Sequence, residues 1–235
     1  MPDYSKIQVV FFDAGGTLFE VRGSVGEIYS RFARRHGVEI EAVKIHQNFL
    51  QSFREQPPLA FPPGTPEAEL QKLEYEWWRN LASAVFDEYD FPSFDQFFAD
   101  VFEFFRGSDA WLLYGDVKPT LRALKNRGLR LAVISNFDSR LDDLLHAFDL
   151  DQYFDAVHIS SRIGAAKPDP IIFRAALDHH RIEPHRALHV GDSLREDVEG
   201  AAAVGIRPIL IDRCREIENR GVVTRINRLD HLVAG

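Results

Sequence analysis

Between residues 113 and 212 the chain alternates short β-rich runs with amphipathic stretches, which limits its possible folds more than any other feature. Four runs rich in β-branched and aliphatic residues lie at 129–135, 156–160, 187–190 and 208–211. Between them, apolar residues recur at a spacing of three and four, as along the buried face of a helix. Repeated strand and helix units of this kind predict an α/β fold with a doubly wound parallel sheet.

A further strand, predicted over 7–12, belongs with this sheet but lies about a hundred residues before the rest of it. Its residues 9–12, Val-Val-Phe-Phe, have no polar interruption, as expected of a strand that is buried on both faces. Asp13 ends the run and is followed by the turn residues Gly15 and Gly16. Because open α/β sheets bind ligands at the carboxyl ends of their strands, Asp13 is the first candidate functional residue.

The segment between this first strand and the others, 19–112, has helical spacing throughout, so we expect an inserted helical unit. Thirteen of the nineteen phenylalanines of the chain lie in it. A cage that stacks on a cofactor would use such residues, but their helical spacing favours a small aromatic core. The proline-rich stretch 57–66 predicts a loop within the insert.

Composition excludes several classes of protein. The net charge of −8 argues against a nucleic-acid-binding groove, which would need a basic patch. No stretch approaches the ~20 consecutive apolar residues that span a membrane. The first residues lack the basic and apolar regions of a signal peptide. With Cys214 as the single cysteine no internal disulfide forms, so we expect the reducing cytoplasm as the location.

Three more segments place polar side chains at or just after predicted strands. They are Ser135-Asn136, Lys167 in GAAKPDP, and Asp192 with Asp197 in GDSLRED. Each segment alone is ordinary, because aspartate and serine are common in turns and as helix caps. The carboxyl ends of parallel strands meet at one edge of a sheet, however, so all of these side chains can converge with Asp13 on one cleft.

These residue types suit phosphoryl transfer. A carboxylate such as Asp13 can act as a covalent nucleophile and divide one difficult step into two. Because a carboxylate and a phosphate repel each other, the reaction also needs positive charge. Asp13 and Asp192 offer the hard oxygen ligands that Mg²⁺ prefers. Lys167 can offset negative charge, while the Ser135 hydroxyl and turn N–H groups can hold phosphate oxygens.

Together the four segments resemble the signature motifs of the haloacid dehalogenase-like hydrolase superfamily, and the insert resembles the helical cap of its subfamily I. The resemblance covers nearly the whole chain. It implies a Rossmann-like core domain over 1–18 and 113–235 and a helical cap domain over 19–112. The cap would close over the strand ends, hinged near 19–23 and 107–115. It also implies Mg²⁺ as cofactor and, most often, phosphatase activity.

The resemblance also assigns roles to the matching positions. Asp13 is the nucleophile, Ser135 the phosphate-binding hydroxyl and Lys167 the lysine that neutralises charge. The implied metal ligands are Asp13, the backbone carbonyl of Gly15, Asp192 and, as an outer or additional acidic partner, Asp197. The implied substrate-binding residues are Gly16, Thr17, Ser135, Asn136 and Lys167.

Gly15 is the departure from the family pattern. Phosphatases of the superfamily usually carry a second aspartate two residues after the nucleophile, where it acts as general acid and base. Such catalysis contributes about 10²–10⁴-fold, and Gly15 has no side chain to supply it. A replacement acid could come from the cap or its hinge, where Glu20, Glu27 and His46 are candidates.

The reading we prefer is a Mg²⁺-dependent phosphatase of a small phosphorylated metabolite, with neither nucleic acid nor membrane as partner. Haloacid dehalogenation is one alternative, because halide leaves without a proton, although dehalogenases of the superfamily work without a metal. Phosphonate hydrolysis is a second, with Lys44 or Lys72 as the cap lysine it would need. A third is a non-enzymatic module that binds Mg²⁺ and phosphate, or a protein, on a retired site. The long insert argues against a response-regulator receiver domain.

Overall fold

The computed structural model describes residues 6–214 and 223–233, and its largest element is a six-stranded, wholly parallel sheet. The strands of the sheet, in chain order, are β1 (Val9–Phe12), β4 (Arg130–Ser135), β5 (Ala156–Ile159), β6 (Ala187–Gly191), β7 (Arg207–Ile211) and β8 (Thr224–Ile226). Two further strands, β2 (Phe19–Val21) and β3 (Trp111–Leu113), pair with each other outside it.

The strand order β5-β4-β1-β6-β7-β8 places β1 at the centre of the sheet. After β1 the chain builds outward on one side through β4 and β5, then crosses to build the other side from β6. Adjacent connections therefore diverge at β1, which opens a crevice at the carboxyl ends of the central strands. Asp13 follows β1 directly and lies at this crevice.

Helices cover both faces of the sheet because β1 alternates its side chains between two apolar clusters. Val10 and Phe12 pack on one face with α5 (Val117–Asn126) and α6 (Arg140–Ala147). Val9 and Phe11 pack on the other with α8 (Pro170–His180) and α9 (Gly200–Ala203). The predicted α/β fold, Rossmann-like and doubly wound, is confirmed.

The insert contributes four helices with an apolar core of their own. They are α1 (Val25–Arg35), α2 (Ala42–Glu55), α3 (Glu67–Val85) and α4 (Phe94–Arg106). Phenylalanines fill this core. The ring of Phe97, for example, contacts the rings of Tyr29, Phe86 and Phe91. The predicted aromatic core and the loop over 57–66 are confirmed. The domain boundaries themselves stay a prediction.

The expectation that 19–112 is helical throughout is wrong at its two ends, which form the antiparallel strands β2 and β3. The two chain crossings run side by side, so their backbone groups satisfy one another rather than those of a helix turn. Arg22 reinforces the pairing by donating to the carbonyls of Asp109 and Trp111 at 3.3 and 3.1 Å. The ring of Phe19 meets that of Trp111 at 5.2 Å.

A short helix, α7 (Ser160–Ile163), follows β5, and a six-residue π-helix, Leu194–Glu199, follows β6 and leads into α9. The π-helix contains the second half of the GDSLRED segment. Irregular helical turns of this kind frequently occur at functional sites. No helix in the described ranges has the length and apolar composition required to traverse a bilayer.

A histidine cluster lies where the edge strand β5 packs against the end of α8. His158 and His180 are buried, and the Nε2 atom of each lacks a hydrogen-bond partner among the described residues. Burial and then the neighbouring His179 lower the pKa of both to about 4. Two more charged groups act on His180: Arg130 lowers its pKa further, and Asp155 raises it.

These depressed pKa values make the stability of the fold acid-sensitive. Since the histidines titrate near 6.5 when unfolded and near 4 when folded, protonation favours the unfolded chain. Their contribution is complete above pH 6.5 and is lost as the pH falls toward 4. We expect His158→Leu to reduce the slope of unfolding free energy against pH in this window, by up to about 1.4 kcal/mol per pH unit.

Urea denaturation at pH 7, 6 and 5 measures this slope. His185→Leu is the matched control, because His185 is exposed and lies outside the cluster. A slope that is the same in wild type and His158→Leu would contradict the prediction.

Candidate active site

The four polar segments meet at the carboxyl edge of the sheet, as the sequence predicts. Ser135 Oγ, at the end of β4, donates to Asp13 Oδ1 at 3.0 Å. Lys167 Nζ donates to the same oxygen at 2.6 Å and to Asp197 Oδ1 at 2.5 Å. Both donors therefore hold one oxygen of Asp13, and neither holds Oδ2.

Lys167 is fully enclosed and lies between two carboxylates. Burial by itself would lower its pKa, but the charges of Asp13 and Asp197 outweigh burial and raise it, so the ammonium stays protonated. Burial opposes ionisation of Asp197 as well, yet Lys167 and a hydrogen bond from His189 Nε2 at 2.8 Å lower its pKa. Lys167 and Asp197 thus form a permanent buried ion pair.

Three carboxylates surround this single lysine. One oxygen from each of Asp13, Asp192 and Asp197 lies within 4.8 Å of the others. Partial loss of hydration at the protein surface around it, followed by the charges of Asp13 and Asp197, raises the pKa of Asp192 to about 8. Burial likewise raises that of Asp13, against the effect of Lys167. Formally the cluster carries two more negative charges than positive ones.

The donor set fits a divalent cation. Carboxylate and carbonyl oxygens are the hard ligands that Mg²⁺ takes, and the excess of negative charge equals that of one such ion. Asp192 is exposed toward the cleft, whereas both oxygens of Asp197 already accept hydrogen bonds, Oδ1 from Lys167 and His189 and Oδ2 from the Ser193 N–H at 3.0 Å. Asp13 and Asp192 are therefore better placed as direct ligands than Asp197.

The two glycines after Asp13 have different structural roles. Gly16 has φ of +74°, and a Cβ there would lie 2.1 Å from Asp192 Oδ2, so the backbone and the carboxylate approach each other only because it is glycine. Gly15 lines the cleft, and a Cβ there would have nothing within 4 Å. The missing side chain at position 15 leaves open space rather than relieving a clash.

Asn136 and Thr17 support the site in ways that the sequence leaves open. Asn136 accepts from the Lys167 N–H at 2.7 Å and donates to its carbonyl at 3.0 Å, which fixes the loop that carries the lysine. Thr17 is buried, and its carbonyl accepts from Arg213. Contact of Gly16, Thr17 and Asn136 with a substrate stays a prediction.

A cavity of about 320 Å³ lies above Asp13, between the sheet edge and the helices of the insert. Sequence reasoning missed Glu196, a carboxylate of the π-helix that lines this cavity, accepts from Asn136 at 3.2 Å and has a pKa raised chiefly by burial. Its position just before Asp197 in GDSLRED was the available signal.

The three acids that the sequence suggests as substitutes lie elsewhere. None of Glu20, Glu27 and His46 lines the described cavity. Glu20 accepts from the Tyr114 hydroxyl at 2.9 Å, and Glu27 accepts from the Ser24 N–H at the start of α1. The carboxylate of Glu27 is therefore used in helix capping.

The insert is attached to the core beside the site by polar contacts. Glu74 of α3 is buried and accepts from the N–H and hydroxyl of Ser139 at 3.0 and 2.9 Å. Trp78 donates its indole N–H to Asp138. Through these bonds the helices of the insert are held over the strand ends.

Comparison with known proteins identifies the fold and the family. A family model described as haloacid dehalogenase-like hydrolase matches residues 7–205. A mouse protein, haloacid dehalogenase-like hydrolase domain-containing protein 3, is 36% identical over 211 residues, covering 88% of this chain and 82% of its own. A phosphoserine phosphatase of Thermus thermophilus is 38% identical over 112 residues, 47% of this chain and 45% of its own.

Among solved structures, a 2-haloacid dehalogenase of Pseudomonas syringae pv. Tomato superposes with a TM-score of 0.67 over 97% of this chain and 96% of its own. At 22% identity this likeness shows the shared fold alone. The choice of reaction must therefore come from the side chains of the site.

The contrast between Gly15 and Gly16 gives a test of this geometry. Gly16→Ala combines a disfavoured positive φ with a methyl group against Asp192, so we expect it to lower the free energy of unfolding by about 1–3 kcal/mol. Gly15→Ala has room and should change it by less than about 0.5 kcal/mol. Chemical denaturation of both variants measures the difference, and equal losses would show that the turn is not as described.

Proposed function

The chain belongs to the haloacid dehalogenase-like hydrolases, and we propose that within this family it is a Mg²⁺-dependent phosphatase that acts on a small phosphorylated metabolite through an aspartyl-phosphate. One observation carries the proposal. The nucleophile Asp13 is bound at Oδ1 by Ser135 and Lys167 and shares a cluster of excess negative charge with Asp192. The partial similarity to a phosphoserine phosphatase supports the same reaction.

In the first step, Asp13 Oδ2, the oxygen that neither donor holds, attacks phosphorus. A bond between Oδ2 and phosphorus forms while the bond from phosphorus to the leaving oxygen breaks, and that oxygen departs with the electron pair. Lys167 and the Ser135 hydroxyl lie beside the reacting carboxylate and stabilise negative charge on the phosphate oxygens. Asp13, Asp192 and the Gly15 carbonyl would hold Mg²⁺, which would supply the remaining positive charge.

In the second step, water attacks the aspartyl-phosphate, the bond between Oδ2 and phosphorus breaks, and phosphate leaves with Asp13 restored. Both steps normally use the carboxyl group that is missing at Gly15, first to protonate the leaving oxygen and then to deprotonate water. A leaving oxygen whose charge is delocalised, as in an aryl or acyl phosphate, depends less on that proton. We therefore infer weak turnover with a bias toward such substrates.

Dehalogenation is the second candidate, because halide needs no proton and Gly15 supplies none. A haloacid also carries a carboxylate that must be bound. The cation among the described residues that line the cavity, Arg140, already pairs with Asp138 through two hydrogen bonds of 2.9 and 2.6 Å. This pairing, together with the acidic cluster, favours phosphatase chemistry.

With one cysteine in the chain, we keep the cytoplasm as the proposed location.

The direct test is phosphate release from p-nitrophenyl phosphate with and without Mg²⁺. We expect release that requires the metal, and loss of at least about 10³-fold in Asp13→Asn, because the amide cannot act as the nucleophile. Release of chloride from 2-chloropropionate is assayed in parallel. Background rates that are unchanged in Asp13→Asn, on both substrates, would leave the non-enzymatic module as the answer.

The space at Gly15 gives a second prediction. Gly15→Asp should raise the rate on an alkyl phosphate by up to about 10²-fold, because the new carboxyl can protonate the alkoxide. The gain on an aryl phosphate should be smaller. Phosphorylated Asp13, trapped by acid quench at steady state, should accumulate more in wild type than in the variant. Gly15→Ala, which fills the same space without an acid, is the control. If the wild type already hydrolyses both substrates equally fast, another group supplies the proton and the prediction fails.

A further inference from the structure

The wall of the cavity above Asp13 consists largely of aromatic side chains. Nine of the twenty described residues that line it carry aromatic rings, and three more are valines. The rings come from the insert, as with Phe53 and Phe102, and from the core, as with Phe137. Apart from Arg140, the charged residues of the lining follow strands of the sheet and form the floor, where Asp13 and Ser135 lie. A substrate therefore meets two environments, a charged floor and an apolar wall.

No cation among the described residues of the wall is available to balance a second anionic group on the substrate. Among the described residues that line it, Arg140 carries the positive charge. Its guanidinium forms a double hydrogen bond with Asp138 and lies over the ring of Phe102, 4.1 Å from the centroid. Although burial opposes ionisation of Asp138, the charge of Arg140 keeps its pKa low, so the pair is internally neutral.

The remaining charged groups at the cavity are the acids, including Glu196 at the side of the floor. They would repel a carboxylate or a further phosphate on the substrate. Desolvating such a group without a partner costs several kcal/mol. The cavity thus selects against phosphate esters that carry a second negatively charged group.

The size of the cavity limits the substrate further. At about 320 Å³ it lies at the lower end of the roughly 300–1,000 Å³ typical of small-molecule sites. That is enough for a phosphate on the floor and a body of one or two rings against the wall. Flat rings gain offset or edge contacts with neighbouring aromatic side chains in addition to burial of apolar area.

We propose that the substrate of this site is a phosphate monoester with a small, uncharged aromatic body, which the cavity wall recognises independently of how easily the leaving oxygen departs. The proposal rests on the phosphatase function and names its substrate class. The reaction is hydrolysis, in which one water and the ester give inorganic phosphate and the aromatic alcohol or phenol.

The test separates recognition of the body from ease of departure. Benzyl phosphate and methyl phosphate both release simple alkoxides, so the missing acid at Gly15 affects the two about equally. We expect kcat/KM for benzyl phosphate to exceed that for methyl phosphate by at least about tenfold, mostly through KM. Adding a charge in 4-carboxybenzyl phosphate should remove most of this advantage.

Two variants on α2 form a matched pair. Phe53 lines the mouth of the cavity and is 45% exposed, whereas Leu50 is 41% exposed and does not line it. Since both side chains are largely exposed, we expect serine at either position to leave the fold intact. We expect Phe53→Ser to reduce the ratio of the benzyl to the methyl rate constants by about three- to tenfold. Leu50→Ser should leave the ratio unchanged.

A binding measurement keeps the outcome independent of turnover. Benzylphosphonate cannot be hydrolysed, and its binding in the presence of Mg²⁺ can be followed by the fluorescence of Trp78 and Trp111, which line the cavity. It should bind at least tenfold more tightly than methylphosphonate, with the same dependence on Phe53. Equal affinity for the two phosphonates would overturn the proposal even if p-nitrophenyl phosphate is hydrolysed. Tight benzylphosphonate binding without any hydrolysis would instead support the aromatic site and reject the phosphatase.

Discussion

The rest of the site depends on one interaction, the buried pairing of the Lys167 ammonium with the carboxylates of Asp13 and Asp197. A buried charge is tolerated only where partners compensate for its lost hydration, and removing one partner is strongly destabilising. Here the two partners come from separate parts of the chain, after β1 and within the π-helix, and the lysine itself lies before α8. The Asn136 side chain holds the lysine loop at both its N–H and its carbonyl, so β4 contributes as well. Folding of the whole core is thus a condition for balancing this one charge.

A charge balance that includes Asp192 explains why the site suits an anion and a dication together. One lysine cannot neutralise three carboxylates, and Asp192, with its pKa raised to about 8, is the group that most lacks compensation. Bound Mg²⁺ would favour its ionised form. The close approach of Asp192 to the backbone at Gly16 shows that the turn after β1 is shaped around this carboxylate.

The helices of the insert serve two purposes with one set of aromatic residues. Some rings, such as Phe97, are fully buried and hold the four helices together, while others, such as Phe53, face the cavity. Hydrogen bonds from Ser139 to Glu74 and from Trp78 to Asp138 position these rings above the strand ends. The substrate body would therefore bind to the same apolar surface that stabilises the insert, which is why its chemistry should be aromatic.

Local sequence determined the parallel sheet, the helical insert and the identity of Asp13, Ser135, Lys167, Asp192 and Asp197 as neighbours. It could do so because strand periodicity and the position of a residue at a strand end are local properties, and parallel strand ends meet at one edge. The pairing of β2 with β3 was decided by tertiary structure, since two segments about ninety residues apart satisfy each other's backbone groups. Tertiary structure likewise placed Glu196 at the cavity and Glu74 of the insert against Ser139 of the core, because such roles depend on what surrounds a side chain.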